Sequence, residues 1–307
     1  MIRKFVILLM LMAFLLSACA PAAVATPTAA TAKKLTVIAT TTILEDVVSV
    51  VAGDRVTVVG LIPRNGDPHE FQPAPGDVRQ VVESAGVFMN GLGLEGWLED
   101  LIKNAGGERP MFDTSKGLKL STIDSTFEEG GETDPHIWMN PVNMLTVVDN
   151  IVAGLKQIDP EGAAVFEANA AAYKKELQAL DAWAETELAA IPAERRKLVT
   201  AHDAVGYFAA RYNLKVVGYV IPSVSTEAAE TSAKALGELV DTIKAEGVPI
   251  IFAEVSNNPK FVEQVAAEAN VKVDELYVDS LGEKGSEAGT YLDFFRTDVK
   301  KIVAGLK

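Results

Sequence analysis

The chain has 307 residues, with 28 Lys and Arg against 42 Asp and Glu, a formal charge of −14, three His and a single Cys. That balance repels a phosphate backbone, and no basic stripe with interleaved aromatics offsets it, so nucleic acid is excluded as a partner. A chain of roughly three hundred residues lies near the size at which one hydrophobic core divides, so two lobes are expected.

Residues 1–19 open with two cations, Arg3 and Lys4, continue with an apolar run over 5–16 and end in Leu16-Ser17-Ala18-Cys19. Such a run is too short for a membrane span, which needs about 20 residues, but it suits the hydrophobic region of a secretory signal. The last four residues resemble the lipobox of bacterial lipoproteins, which implies cleavage after residue 18 and a lipid on the Cys19 thiol; an ordinary secretory signal is the alternative. Cys19 is the only Cys, so the mature body is left without disulfides or thiolate metal ligands. Residues 19–34 are nearly all Ala, Thr, Pro and Val without periodicity, the composition of an extended tether. The expected location is extracytoplasmic, with the body lipid-anchored to the cell membrane and its acidity holding it off an anionic bilayer.

From residue 35, short β-branched runs at 35–40, 56–62, 87–90 and 110–113 alternate with helical patterns at 43–52, 77–84 and 95–104. This alternation predicts a parallel sheet with both faces covered. A further helix over 141–158 has Asn140 as its cap and Pro141 at its first position. Residues 160–191, between Asp159 and Pro192, carry Phe166, Ala170, Tyr173, Leu177, Leu180, Ala184 and Ile191 on one helical stripe. At 1.5 Å per residue that helix is roughly 46 Å long, enough to bridge two lobes; a long surface helix of one large domain is the alternative. The second half repeats the pattern, with strands at 197–201, 215–221, 249–253 and 272–278 and helices at 203–212, 227–246, 259–269 and 291–306. The predicted class is α/β: lobes at 35–158 and 193–307, each a mainly parallel sheet flanked by helices, bridged by one long helix within 159–192.

All three His follow predicted strands: His69 after 56–62, His136 beyond 110–113, and His202 directly after 197–201. Asp279 likewise follows 272–278. Ligands bind at the carboxyl ends of strands in open α/β sheets, so these four positions converge on one cleft between the lobes. Three imidazoles and one carboxylate make a closed four-coordinate site suited to Zn²⁺. Two of the His stand in the same frame, Asp67-Pro68-His69 and Asp134-Pro135-His136, where proline narrows the backbone and the Asp is placed to accept from the ring N–H.

These residues carry a resemblance that spans the chain from the lipobox to the C-terminus. The stretch from Leu61-Ile62-Pro63 to Asp67-Pro68-His69, the run Asp134-Pro135-His136-Ile137-Trp138-Met139-Asn140-Pro141, Thr200-Ala201-His202, and Phe252-Ala253-Glu254 followed by Asp279-Ser280-Leu281-Gly282 are similar to the cluster A-I solute-binding lipoproteins. The resemblance implies two α/β lobes bridged by one long helix, a metal buried between them, and delivery of Zn²⁺ or Mn²⁺ to the permease of an ABC importer. It places the ligands on His69, His136, His202 and Asp279, with Glu254 as a hydrogen-bonded neighbour. His at the third position favours zinc, with Mn²⁺ as the alternative cargo. Zinc-specific relatives often carry a His-rich acidic loop before the second ligand; here residues 122–133 hold Asp124, Glu128, Glu129 and Glu132 without His, the composition of a solvated loop. Asn140 stands where the family usually has Asp.

Gly91-Leu92-Gly93-Leu94-Glu95-Gly96 matches the dinucleotide fingerprint G-x-G-x-x-G after a strand and before a helix. Glu95 would set a negative charge beside a pyrophosphate, so these glycines are expected to serve turns and packing. A zinc-dependent hydrolase on the same four residues is the competing function, but catalytic zinc keeps an open position that Asp279 would close, and neither H-E-x-x-H nor G-x-S-x-G occurs. A surface adhesin, a role sometimes attached to this family, finds no support in these residues. The expectation is a monomeric binding protein and no enzyme.

Overall fold

The four strands of the N-terminal half, β1 (Leu35–Ala39), β2 (Val56–Gly60), β3 (Val87–Met89) and β4 (Met111–Asp113), pair in parallel in the order β2-β1-β3-β4. In the C-terminal half, β5 (Lys197–Thr200), β6 (Lys215–Tyr219), β7 (Ile250–Glu254) and β8 (Lys272–Leu276) repeat that order as β6-β5-β7-β8, again all parallel. The structure is a computed structural model that describes residues 34–120, 133–221 and 233–307. The signal, Cys19, the tether up to residue 33, the acidic stretch 122–132 and the start of the helix expected from 227 lie outside these residues.

Helices connect the strands, as parallel pairing requires: α1 (Thr42–Ala52), α2 (Pro75–Glu83) and α3 (Leu98–Ala105) in the first half, then α4 (Pro141–Ile158). After the long α5 (Ala163–Ala189) come α6 (Gly206–Tyr212), α7 (Ala233–Glu246), α8 (Lys260–Ala269) and α9 (Tyr291–Leu306). Local chemistry sets several starts. The Thr41 hydroxyl accepts from Leu44 N–H at the head of α1, and Asn140 accepts from Val142 N–H at the head of α4, where Pro141 needs no partner. Most strands end one or two residues before their apolar runs do, because Thr40, Asn90 and Ala201 already turn into the cleft.

The bridging helix is shorter than its sequence pattern. Asp159 accepts from Gly162 N–H and closes one 3₁₀ turn over Pro160–Gly162 before α5 begins. At the other end, the ring of Pro192 disfavours the helical conformation at Ile191. The 27 residues between span about 40 Å, not 46. Leu188 is the last helical residue of the buried stripe, and Ile191 is buried just beyond the end.

This helix is no surface appendage. It packs against α1, α4 and α9, and its stripe of Phe166, Tyr173, Leu177 and Leu180 joins one core with Val37 and Phe88 of the first sheet and Leu198 and Phe252 of the second. Only the outer sheet faces have clusters of their own, around Ile38, Leu61 and Leu98 in one lobe and Val199, Val240 and Ile251 in the other. Packing is close enough that a Cβ on Gly154 of α4 would lie 2.7 Å from the Phe88 ring. No helix among the described residues is long and apolar enough to cross a membrane.

A shared core predicts that the lobes unfold together. Leu177→Ala should lower stability by about 2–5 kcal/mol while keeping a single urea transition monitored by circular dichroism, whereas Glu176→Ala on the exposed face should change it by about 0.5 kcal/mol or less. Two separated transitions would show that each lobe stands alone.

Candidate metal centre

In both sheets the chain order reverses between the first and third strands, which opens a crevice at their carboxyl ends. In the second sheet this crevice holds His202, two residues past β5, and Glu254, the last residue of β7. The Glu254 oxygens lie 2.7 and 2.8 Å from His202 Nδ1, and Glu254 also accepts from Asn257 Nδ2 at 2.9 Å. With Nδ1 engaged, Nε2 faces the cleft. His69 and His136 arrive on loops of the first lobe, and each Asp-Pro-His frame folds the same way. Asp67 accepts the backbone N–H of His69 at 2.7 Å, and Asp134 accepts that of His136 at 2.9 Å. Asp279, three residues past β8, is pinned on both sides: Tyr277 N–H donates to Asp298 at 3.0 Å, and Leu281 N–H donates across to Thr42 Oγ1 of the first lobe at 2.9 Å.

The four sequence-predicted side chains come together, each offering one atom, and these atoms all lie within 4.8 Å of one another. His136 Nε2 is 3.2 Å from His69 Nε2 and 3.3 Å from His202 Nε2. The Asp279 oxygens lie 3.3 Å from His202 Nε2, 3.8 Å from His136 Nε2 and 3.9 Å from His69 Nε2. A tetrahedron with metal–ligand bonds of about 2.0–2.1 Å has edges of roughly 3.3 Å, which is the scale of these separations. Side-chain exposure is 12% for His69 but 2% or less for the other three, so solvent reaches the cluster at the His69 side. Neither Asp279 oxygen has a hydrogen-bond partner although both are buried.

Burial and mutual charge separate the three imidazoles. Burial, reinforced by the other two imidazoles, pushes His69 down to about 2. Burial and His202 likewise hold His136 well below the usual range. Burial opposes the charged form of His202 too, but the Glu254 and Asp279 carboxylates outweigh it and raise the group to about 10. Burial drives Asp279 well up, partly offset by His202. His202, the imidazole that stands between two carboxylates, therefore holds its proton at neutral pH, whereas His69 and His136 do not.

The Asp-Pro-His frames differ in one respect that the sequence hides. Asp134 Oδ1 lies 2.8 Å from His136 Nδ1, the ring partner expected of it. Asp67 holds only the backbone of His69, and its second oxygen is buried without a partner. Sequence reasoning assigned no role to Trp138 beyond its place in the family-like run, yet its Nε1–H donates to Val278 O at 2.7 Å while its ring meets His136 edge-on at 5.3 Å, and that reasoning missed Asp298 beneath Tyr277 altogether. Both act between segments far apart in the chain. In the glycine-rich segment, Glu95 turns back and accepts from Asn90 N–H at 2.6 Å and Gly91 N–H at 3.0 Å. The backbone donors that would cradle a pyrophosphate are thus already taken, as expected for turn and packing residues.

In the metal-free protein at pH 7, nitrogen NMR of labelled imidazole should find His202 protonated and His69 and His136 neutral. Glu254→Gln removes the larger of the two attractions that raise His202, so its pKa should fall; no change would contradict the Glu254 pairing.

Over residues 37–305 the chain matches the family described as "Zinc-uptake complex component A periplasmic". Among characterised proteins it is 33% identical over 274 residues to the manganese-binding lipoprotein MntA of Halalkalibacterium halodurans, covering 89% of this chain and 88% of the relative. The metal ABC transporter substrate-binding lipoprotein ScbA of Streptococcus cristatus is 31% identical over 310 residues, 99% of this chain and 98% of that one. Of solved structures, the periplasmic zinc-binding protein TroA from Treponema pallidum superposes with a TM-score of 0.80 at 32% identity, covering 89% of this chain and 99% of that one. A Mn-bound periplasmic metal-binding protein from Candidatus Liberibacter asiaticus superposes with a TM-score of 0.79 at 26% identity, covering 89% and 100%. Two parallel-sheet lobes, a cross-bridging helix and this breadth of similarity agree: the chain belongs to the zinc-uptake complex component A family, the group that its sequence resembles as a cluster A-I solute-binding lipoprotein.

Proposed function

We propose that this chain is the extracytoplasmic substrate-binding lipoprotein of an ABC importer, and that it captures a divalent transition metal with His69, His136, His202 and Asp279 and hands it to the permease. The observation that carries the reading is the Asp279 carboxylate, sealed from water with neither oxygen hydrogen-bonded, facing three imidazole nitrogens. A buried carboxylate left this way is costly unless a cation completes it. Cys19 is the lipid attachment point, and the residues after it are the tether. All four ligands come from one chain, which suits action as a monomer.

Zinc is the cargo the donor set favours: three imidazoles and one carboxylate at tetrahedral spacing, with Glu254 and Asp134 as outer partners that orient His202 and His136. The manganese-binding relatives make Mn²⁺ the alternative. A hydrolase on these residues lacks the open position that catalytic zinc needs, because Asp279 completes the four donors.

Protein purified without added metal should carry one zinc per chain by mass spectrometry, held against excess Mn²⁺ in competition. Asp279→Ala, and His69, His136 or His202→Ala, should each weaken capture sharply; two His variants that bind as wild type would sink the ligand set, and displacement of zinc by Mn²⁺ would reverse the choice of metal. Proton release adds a second check. Since His202 is raised to about 10 and Asp279 is also pushed up, metal uptake at pH 7 should release protons, that of His202 among them, and apparent affinity should fall as pH drops from 8 to 5. Calorimetry in buffers of different ionisation enthalpy measures the count.

A further inference from the structure

The glycine-rich segment that mimics a dinucleotide site touches both Asp-Pro-His loops, and at the same atom of each. Asn90 Nδ2 donates to Pro135 O at 3.0 Å, and Trp97 Nε1 donates to Pro68 O at 2.9 Å. Each acceptor is the carbonyl of the residue immediately before a proposed ligand, His136 in one case and His69 in the other. The Trp97 ring also packs edge-on against Phe71 at 4.8 Å, two residues beyond His69. No other described contact links the two loops to one short piece of chain in this way.

The segment is rigid for reasons visible in its own residues. Glu95 fastens it internally through Asn90 N–H and Gly91 N–H, and Thr40 Oγ1 of the neighbouring strand end donates to the same carboxylate at 2.6 Å. Gly91 adopts φ of +83°, and a Cβ there would lie 2.5 Å from Asp113 Oδ1, so the turn is locked against β4. Asn90 and Glu95 are buried. We infer that residues 90–97 are a positioning clamp for metal capture, in which Asn90 and Trp97 set the separation of His136 and His69 by holding the two proline carbonyls. The inference rests on the reading of His69 and His136 as ligands.

A ligand pair positioned by hydrogen bonds to its backbone loses affinity when those bonds go, in the way outer partners of metal ligands do. Trp97→Phe keeps an aromatic ring beside Phe71 while removing the N–H donor together with the fused five-membered ring; Asn90→Leu removes the amide at similar volume. Both should raise the zinc Kd by about 10-fold or more and shift the visible d–d bands of the Co²⁺-loaded protein, which report ligand geometry. Leu94→Ala, a buried residue of the same segment with no polar reach to either loop, should lower the thermal midpoint and leave the Co²⁺ bands in place. Wild-type Kd and Co²⁺ bands in both polar variants would overturn the clamp, as would Leu94→Ala shifting the bands equally. Should Asn90→Leu fail to fold, Trp97→Phe decides alone. If His69→Ala and His136→Ala themselves bind Co²⁺ as wild type, the ligand assignment falls; if they lose it while both polar variants keep the wild-type Kd and bands, only the clamp falls.

Discussion

A carboxylate with no hydrogen-bond donor, shielded from water and surrounded by imidazoles, is the constraint around which this molecule is arranged. Asp279 would ionise only at a desolvation cost of several kcal/mol without a compensating charge. The fold nevertheless holds it there from both sides, through Asp298 on Tyr277 N–H and Thr42 on Leu281 N–H. A proton on His202, between Glu254 and Asp279, offsets part of that charge without a metal. Exchange of that proton for a divalent cation is the chemistry proposed for this site.

Such precision needs supports that do not move independently, and the shared core provides them. The inner faces of both sheets and the stripe of α5 pack together, so the cleft sits between two lobes that share one hydrophobic core. Threads cross it near the ligands: Trp138 to Val278, the Tyr291 hydroxyl to Trp138 O at 2.7 Å, and Tyr291 N–H to Asp46 at 2.9 Å. The loop from Asp279 to Tyr291 belongs to the second half by sequence but is stitched to the first half by hydrogen bonds. Large rigid-body opening would break these contacts together. His69, the proposed ligand nearest solvent, is the one whose local movement would open the cluster without breaking them.

The two lobes use one topology for different ends. In the second sheet, the crevice between β5 and β7 places His202 against Glu254, with the His202 Nε2 left to face the proposed metal site. In the first sheet, the equivalent crevice between β1 and β3 holds Thr40 against Glu95, and the carboxylate occupies the backbone donors itself. The geometry that is open to the proposed metal in one half is closed by an internal carboxylate in the other, next to the segment that holds the two Asp-Pro-His loops.

Much of this was legible in the sequence because it is local. Alternating β-branched runs and amphipathic stretches predict strands and helices, Asn140-Pro141 predicts the start of α4, and the placement of His69, His136, His202 and Asp279 after strand ends predicts that they converge. Length of α5 was overestimated because periodicity continues through residues that the proline at 192 and the Asp159 turn remove from the helix. Tertiary structure alone decided the partners. Two identical Asp-Pro-His tripeptides differ in whether the Asp reaches the imidazole; Glu254 meets His202 across 52 residues of chain; a G-x-G-x-x-G match proves to be filled by its own glutamate. Periodicity and capping depend on neighbours a few residues apart and can be read from the chain, whereas which carboxylate faces which imidazole depends on sheet order and on packing between segments that the sequence does not place side by side.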